Sequence, residues 1–451
     1  MRRRIDIALR RLKQDLGPHL DESALSDICR RLGHRWRRDA TLSPFTIILW
    51  FVIQVLHGNT ALTHITLKAR RRFTESASCQ ARARLPLAVS RAVLRFVIRS
   101  LVPRTEVEGL WRRHRTFLID GSSFSMPDAP ELREHFGQPG GQAAGCGFPA
   151  AKILALFRAG TGLLLDVLAA PLRTHDMARV DGVHPAPGPG DVLVGDRASC
   201  SFPHLAPLLG RGAHAVFRAH QKLIVDFAPG RPHTGPRDQR AAAGRPRSRW
   251  LRSLGALDQV VEWFKPRDRP AWMTAEDFAR LPETITVREL RYRVDRRGFR
   301  TQSVTLVTTL LDAETYPLEA LAELSGTRWR VEQYLRDLKR TMKMDVLRCR
   351  TVDGVLKELM VYGIVYNLVR SVMGEAGRRQ RVEPDRISFI DALRWLLEAR
   401  PGERMPRLVV NPSRPGRSEP RVRKRRPKPY PLMRKPRREL RKELEDKDIA
   451  A

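Results

Sequence analysis

Short apolar runs recur between residues 116 and 218, and two of them end at an aspartate. Residues 116–119 (TFLI) lead into Asp120, and residues 191–194 (DVLV) lead through a glycine into Asp196. Runs of this length that are closed by turn-forming residues are typical of buried β-strands. The pattern therefore predicts two strands that each present a carboxylate at the carboxyl end. Taken alone, an aspartate at a strand end is more often a turn former or a helix cap than a metal ligand.

Further strands and helices are predicted around these two runs. They are strands at residues 152–158, 163–169 and 214–218, and helices at residues 176–183 and 201–209. The resulting order, β-β-β-α-β-α-β, is that of a ribonuclease-H-like sheet in an α/β fold. In such a sheet, acidic residues at the carboxyl ends of neighbouring strands can converge on one point.

A third carboxylate is predicted on a helix over residues 318–342, where apolar residues recur with helical periodicity. Arg328, Glu332, Arg336 and Lys339 follow the spacing i, i+4, i+8, i+11, so we expect them on one face of that helix. Glu332 would reach a metal while Arg328 and Lys339 bind DNA phosphates. Arg336 and Arg197 are further candidates for DNA contacts. The alternative is a salt-bridged face exposed to solvent.

Three carboxylates suit the cleavage of phosphodiesters. Two metal ions about 3.5–4 Å apart can activate the attacking water and stabilise the leaving oxygen. Mg²⁺ takes oxygen ligands and keeps several waters, so few protein ligands are needed. We predict two Mg²⁺ ions, with Mn²⁺ as the alternative, in which Asp120 bridges both and Asp196 and Glu332 each complete one.

The charge balance indicates a polyanionic partner. The chain has 83 Lys and Arg against 49 Asp and Glu, a net charge of +34. Each phosphate that a basic side chain neutralises releases a counterion, so this excess favours nucleic acid. Anionic membranes attract the same charge, but the most apolar run, residues 45–56, is shorter than the ~20 residues of a membrane span. We expect no membrane partner and a cytoplasmic, nucleoid-associated bacterial protein.

The cysteines and histidines argue against two other kinds of site. The five cysteines lie far apart and form no Cys-x-x-Cys pair, which excludes a zinc ribbon and argues against a disulfide framework. The twelve histidines show no zinc-ligand spacing.

The domain organisation follows from changes in composition along the chain. Residues 76–91 are basic and precede an apolar helix, which is compatible with a helix-turn-helix-like DNA reader; an ordinary basic surface helix is the alternative. The predicted units are a helical DNA-binding region (residues 1–110), a first part of the catalytic core (111–220), a mainly β insertion (221–302), a second part of the core that carries the Glu332 helix (303–400), and a basic tail without fixed structure (401–451).

Several motifs together resemble the insertion-sequence type-four family of bacterial DDE transposases. They are residues 118–128 (LIDGSSFSMPD), 145–149 (GCGFP), 194–202 (VGDRASCSF), 328–339 (RWRVEQYLRDLK) and 344–348 (MDVLR). The third resembles the second-Asp motif of that family, and the fourth resembles its Tyr-Arg-Glu-Lys signature. The tyrosine of that signature is replaced here by Ser325, which removes one expected DNA contact.

The resemblance implies an activity and partners. It implies cut-and-paste transposition, in which the protein cuts at the terminal inverted repeats of its element and joins the freed 3′-hydroxyl to target DNA. It also implies a homodimer on paired ends and a tryptophan that stacks on a flipped base, for which Trp250, Trp263 and Trp272 are candidates. Two alternatives stay open: a ribonuclease-H-like nuclease that cuts without joining, and a decayed transposase or basic DNA-binding protein that binds ends without cutting.

Overall fold

The computed structural model describes most of the chain. The described residues are 21–36, 41–69, 72–102, 110–140, 143, 145–174, 182, 186–235, 244–294, 303–399, 403–412 and 434–449. The helix predicted at residues 176–183 lies outside them, apart from Gly182.

The described N-terminal region is helical. Its helices are α1 (Glu22–Arg31), α2 (Pro44–Leu56), α3 (Leu62–Lys68), α4 (Glu75–Arg84) and α5 (Leu87–Leu101). Ser43 caps α2 by accepting a hydrogen bond from the backbone N–H of Thr46, and nearly every residue of this helix is buried. The most apolar run of the sequence, residues 45–56, therefore forms a buried helix. None of the helices in the described ranges is long and apolar enough to cross a bilayer.

Residues 111–220, predicted as the first part of the core, contain a five-stranded portion of the sheet and two short helices. The strands are β1 (Thr116–Ser125), β2 (Ala150–Arg158), β3 (Leu164–Pro171), β4 (Val192–Gly195) and β5 (His214–Arg218), and the helices are α6 (Pro130–Phe136) and α7 (Phe202–Gly210). The strand order is β3-β2-β1-β4-β5, in which β1, β4 and β5 are parallel and β2 is antiparallel to both its neighbours. This is the predicted ribonuclease-H-like arrangement.

One predicted strand boundary is wrong. β1 does not end at Asp120 but continues to Ser125, because residues 121–125 keep pairing with β2 up to Ser125 opposite Ala150. Phe124, which is buried, anchors this extension. Pairing with β4 nevertheless stops at Leu118, so Asp120 lies just beyond the carboxyl end of the neighbouring strand.

The mainly β insertion extends the same sheet. Its elements are β6 (Arg249–Gly255), β7 (Asp258–Phe264), α8 (Ala275–Arg280), β8 (Thr284–Arg293) and β9 (Ser303–Thr308). β9 pairs antiparallel with β5, and β8, β7 and β6 follow outward, so the described strands form one sheet of nine. The insertion is therefore continuous with the catalytic core through backbone hydrogen bonds.

The sheet separates two apolar cores, as the alternation of side chains along each strand requires. Leu118, Val194 and Val216 point into the larger core, which also contains α2, α5 and the C-terminal helices. Ile119 and Phe217 point into the smaller core, which α7 and the insertion cover.

The C-terminal part is helical. Its helices are α9 (Leu318–Thr327), α10 (Trp329–Arg336), α11 (Val352–Gln380), α12 (Phe389–Glu398) and α13 (Arg437–Ile449). The single helix predicted over residues 318–342 is interrupted at Arg328, whose backbone stays right-handed, and it closes with a π-helical turn over Asp337–Thr341. α13 lies in the tail for which the sequence favoured no fixed structure; Glu443 there pairs with Lys435.

Candidate functional site

Two aspartates lie side by side at the centre of the sheet. Leu118 of β1 pairs with Val194 of β4, and Asp120 and Asp196 each follow two residues later. A Cβ at Gly195 would lie 2.8 Å from Ser199 Oγ and 3.1 Å from Ile119 Cγ2 of β1, so a glycine suits the position between these neighbours. The parallel register therefore brings together the two aspartates that were predicted from separate runs of sequence.

Glu332 joins the aspartates from the helix above the sheet. α10 packs against β1, and burial raises the pKa of Asp120, which the neighbouring Asp196 and Glu332 carboxylates raise further. The N–H of Gly121 and the guanidinium of Arg328 oppose this rise. All three predicted acidic residues therefore share one electrostatic environment. Glu332 is the most open of them, with 46% of its side chain exposed.

Arg328 connects the sheet to the helix. Its Nη1 atom lies 3.8 Å from Asp120 Oδ2, and its Nη2 atom lies 3.5 Å from Glu332 Oε1. The side chain is only 12% exposed. A partly buried guanidinium between two carboxylates offsets their repulsion and leaves further N–H groups for another anion.

The other predicted cations differ in where they lie. Lys339 donates a hydrogen bond to Ser122 Oγ at 3.0 Å, which places its ammonium on the same strand as Asp120. Burial lowers the pKa of Lys339, and Asp345 opposes this. Arg336 is 65% exposed and its ion-pair partner in the described structure is Asp337, at 3.7 Å. A π-helical turn begins directly after Arg336, so the spacing from Arg336 to Lys339 departs from that of a straight α-helix.

Two arginines around Asp196 complete the site. Arg197 follows it directly, and Arg197 Nε is buried without a hydrogen-bond partner in the described structure. Arg218, at the end of β5, was missed by the sequence analysis. Burial lowers its pKa, and the nearby Arg197 and Arg328 lower it further, which places it in the same cluster. The sequence feature that points to Arg218 is a basic residue at the end of a predicted strand.

The three carboxylates of the site suit divalent metal ions, although they do not surround a single ion. Among the described residues, no group of three or more His, Cys, Asp or Glu side chains is close enough to hold one ion. A two-ion site needs fewer protein ligands for each ion, because water and DNA phosphate supply the rest. Asp196 Oδ1 is buried with no hydrogen-bond partner in the described structure, as expected of an oxygen kept for a cation. The donors are all carboxylate oxygens, which Mg²⁺ prefers.

The three candidate tryptophans of the insertion take part in packing. Trp263 is buried, and its Nε1–H donates to Glu289 Oε1 at 3.0 Å. Trp272 stacks on His204, with ring centroids 4.8 Å apart. Trp250 lies on β6 and its Nε1 atom is buried. Their role toward a flipped base stays a prediction.

Comparisons with known proteins show the family of this chain. The family model described as "Transposase DDE domain" matches residues 111–368, which include all three acidic residues. The "Transposase InsG for insertion sequence element IS4" of Escherichia coli (strain K12) is 24% identical over 94% of this chain and 95% of its own length. The "Putative transposase InsZ" of the same organism is 27% identical over 30% of this chain and 46% of its own length.

A solved structure is also similar. It is the piggyBac transposase in a synaptic complex with hairpin DNA, which matches 84% of this chain and 78% of its own, with a TM-score of 0.42 and 10% sequence identity.

Proposed function

The chain belongs to the family of proteins with a transposase DDE domain, as a transposase of the IS4 type, and from this membership we propose that it performs cut-and-paste transposition with Asp120, Asp196 and Glu332 as metal ligands. The observation that carries the proposal has two parts: the β1–β4 register sets Asp120 beside Asp196, and Arg328 of the α9–α10 junction contacts both Asp120 and Glu332. Two divalent ions held there would activate water and stabilise the leaving oxygen.

The reaction has two balanced steps. In cleavage, the oxygen of water forms a bond to phosphorus at the element end, and the bond to the 3′-oxygen breaks to leave a 3′-hydroxyl. In strand transfer, that hydroxyl oxygen forms a bond to a phosphorus of the target DNA, and one target phosphodiester bond breaks. In each step one P–O bond forms and one P–O bond breaks, so no oxidant is needed.

The basic side chains of the site would position DNA. Arg328 holds Asp120 and Glu332 in relation to one another and keeps N–H groups for a phosphate. Arg197 and Lys339 lie on either side, after β4 and beside β1 respectively. We propose that these cations hold phosphates around the scissile bond, because bidentate or charge-assisted hydrogen bonds fix both position and orientation.

We further propose double-stranded DNA as the partner, in the form of the terminal inverted repeats and the target. The N-terminal helices would bind the repeats, and two copies of the chain would act on paired ends. The net charge of +34 supports binding to a polyanion.

The test is cleavage of a labelled duplex that carries the inverted repeat flanking the coding sequence. Purified protein is incubated with Mg²⁺, with Mn²⁺ and with EDTA. Asp196→Ala, Asp120→Asn and Glu332→Gln are each expected to lower cleavage at least about a hundredfold while binding of the end persists. Asp268→Ala, at an exposed aspartate of the insertion, serves as the matched control. Cleavage at the wild-type rate by any of the three site variants would contradict the assignment.

One observation favours a second candidate. Ser325, in α9, stands where the resemblance expects a tyrosine, so one DNA contact is missing. A decayed transposase would bind the end but cut it with neither metal. Ser325→Tyr would then be the variant that tests whether the missing contact is the cause. Cutting without joined products would instead indicate a nuclease.

A further inference from the structure

Arg218 stands in the same row of the sheet as the two aspartates. Val194 pairs with Leu118 on one side and with Val216 on the other. Asp120, Asp196 and Arg218 each lie two residues beyond one member of this row. Neighbouring strands are about 4.8 Å apart. Asp120, Asp196 and Arg218 are therefore expected to lie next to one another in a second row, parallel to the first.

The side chains of this row share one face. Leu118, Val194 and Val216 all point into the larger core. Because side chains alternate along a strand, residues two positions further project from the same face. Arg218 therefore faces the side of the sheet on which α10 carries Glu332, and it is next in line after Asp196.

The charge of Arg218 lacks a fixed partner. Within the part of the chain that the structure describes, its guanidinium makes no hydrogen bond and no ion pair within 4 Å. Asp196 attracts it, whereas Arg197 and Arg328 repel it. The side chain is only partly exposed. The guanidinium groups of the three arginines equal the three carboxylates in number, and the Lys339 ammonium beside β1 adds one more positive charge. An anion with several oxygens would satisfy this excess.

We propose that Arg218 binds a non-bridging oxygen of the scissile phosphate and stabilises the negative charge that develops there during cleavage and joining. This inference rests on the proposed transposase reaction and adds a catalytic residue to it. Arginine suits the role because its guanidinium stays charged and presents a planar set of donors. A preformed donor in a partly buried site is worth more to a transition state than one exposed to water.

The role of Arg218 is tested by separating cleavage from binding. Arg218→Gln keeps most of the side-chain stem but removes the charge, and Arg218→Lys keeps the charge without the planar fork. Arg379→Ala, at an exposed arginine paired with Glu375 at the end of α11, is the matched control. We expect Arg218→Gln to lower the single-turnover cleavage rate by roughly a hundredfold. We expect its affinity for the end to change only slightly and Arg218→Lys to recover part of the rate.

A second measurement identifies the atom that is contacted. The scissile phosphate is replaced by each phosphorothioate diastereomer in turn, and rates are compared for wild type and Arg218→Gln. If Arg218 contacts one non-bridging oxygen, the effect of sulfur at that position shrinks in the variant, because the two changes remove the same interaction. Thermal unfolding of both variants checks that the fold is retained.

The outcomes distinguish a failure of the role of Arg218 from a failure of the transposase reaction. If wild-type protein and Arg218→Gln cut equally fast, the role of Arg218 is overturned and the transposase reaction is not. Sulfur effects that are identical in wild type and variant for both diastereomers lead to the same conclusion. Wild-type protein that binds the end but does not cut it with Mg²⁺ or Mn²⁺ overturns the transposase reaction and, with it, this inference.

Discussion

Arg328 contacts two of the three acidic side chains of the site, and its position explains how they can lie together. Asp120 and Glu332 both carry negative charge, and the guanidinium lies within 4 Å of each. The attraction to this one cation offsets their mutual repulsion in a partly buried place, where charges interact more strongly than in water. The same group can then hold a phosphate.

The residues of the site differ in how far the sequence predicted them. Asp120 and Asp196 follow apolar runs, and a parallel sheet brings such ends together, so both could be found without a structure. Arg218 could not, because an arginine after a short strand is common and only the β4–β5 register places it beside Asp196. The DNA contact of Arg336 stays a prediction; its side chain is 65% exposed, and a π-helical turn begins directly after it.

Lys339 allows a prediction about DNA binding. Its ammonium lies beside β1, held by Ser122 Oγ, so it is placed to neutralise one phosphate. We expect Lys339→Ala to weaken binding of the element end and to reduce the slope of log K against log salt concentration by about 1. Arg379→Ala should leave the slope unchanged. Fluorescence anisotropy over a series of salt concentrations measures both, and an unchanged slope in Lys339→Ala would show that Lys339 makes no phosphate contact.

At the scale of elements, a hydrogen-bond network around Asp385 holds the helix that carries Glu332 in place. Tyr334 of α10 donates a hydrogen bond to Asp385 Oδ2 at 2.7 Å, and Arg370 of α11 donates to Asp385 Oδ1 at 2.7 Å. Arg370 also donates to the carbonyl of Thr161 in the β2–β3 turn. Gly162 in that turn has φ +68°, and a Cβ there would overlap the Arg370 guanidinium. α10 is thus tied to α11 and to the sheet.

The network around Asp385 predicts a large effect on stability. Arg370 is 2% exposed, so removal of Asp385 leaves a buried charge without its anionic partner. We expect Asp385→Ala to lower the free energy of unfolding by about 3–5 kcal/mol. Glu383→Gln is the matched control, because Glu383 is 66% exposed in its pair with Arg330 and should matter by less than about 1 kcal/mol. Urea denaturation of the two variants measures the difference, and similar values for both would refute it.

The elements themselves were largely predictable, and the errors have physical causes. The β2 and β3 strands were found because their apolar runs flank turn-forming residues. The length of β1 was missed because residues 121–125 are mostly glycine and serine, and such a composition does not predict a strand. They are held extended by pairing with β2, a long-range contact that local sequence does not reveal.

At the scale of the whole molecule, the N-terminal helices share one core with the catalytic part. α11 packs against α2, α5, α12 and β3. Gly363 of α11 allows the close approach of Leu94 from α5, whose Cδ1 would lie 3.2 Å from an added Cβ. Glu358 is fully buried and accepts hydrogen bonds from Asn59 and from the backbone N–H groups of Arg348 and Cys349. The sequence indicated a separate composition for residues 1–110 but could not show this shared packing.

The shared core predicts cooperative unfolding. We expect urea transitions followed by far-ultraviolet circular dichroism and by tryptophan fluorescence to coincide, because the helical region cannot unfold without exposing α11. Leu94→Ala, at a buried position, should lower both midpoints together by an amount equivalent to about 2–5 kcal/mol. Leu440→Ala, at an exposed position of α13, should leave both midpoints in place. Two separate transitions in the wild type would show instead that the N-terminal region is an independent domain.

The insertion joins the sheet through β9, and its other strands are added outward to β6, the exposed edge. Residues gained or lost in the β6–β7 hairpin would leave β1, β4 and β5 with the same neighbours. The length of the outer hairpin and the geometry of the row formed by Asp120, Asp196 and Arg218 can therefore change independently of each other.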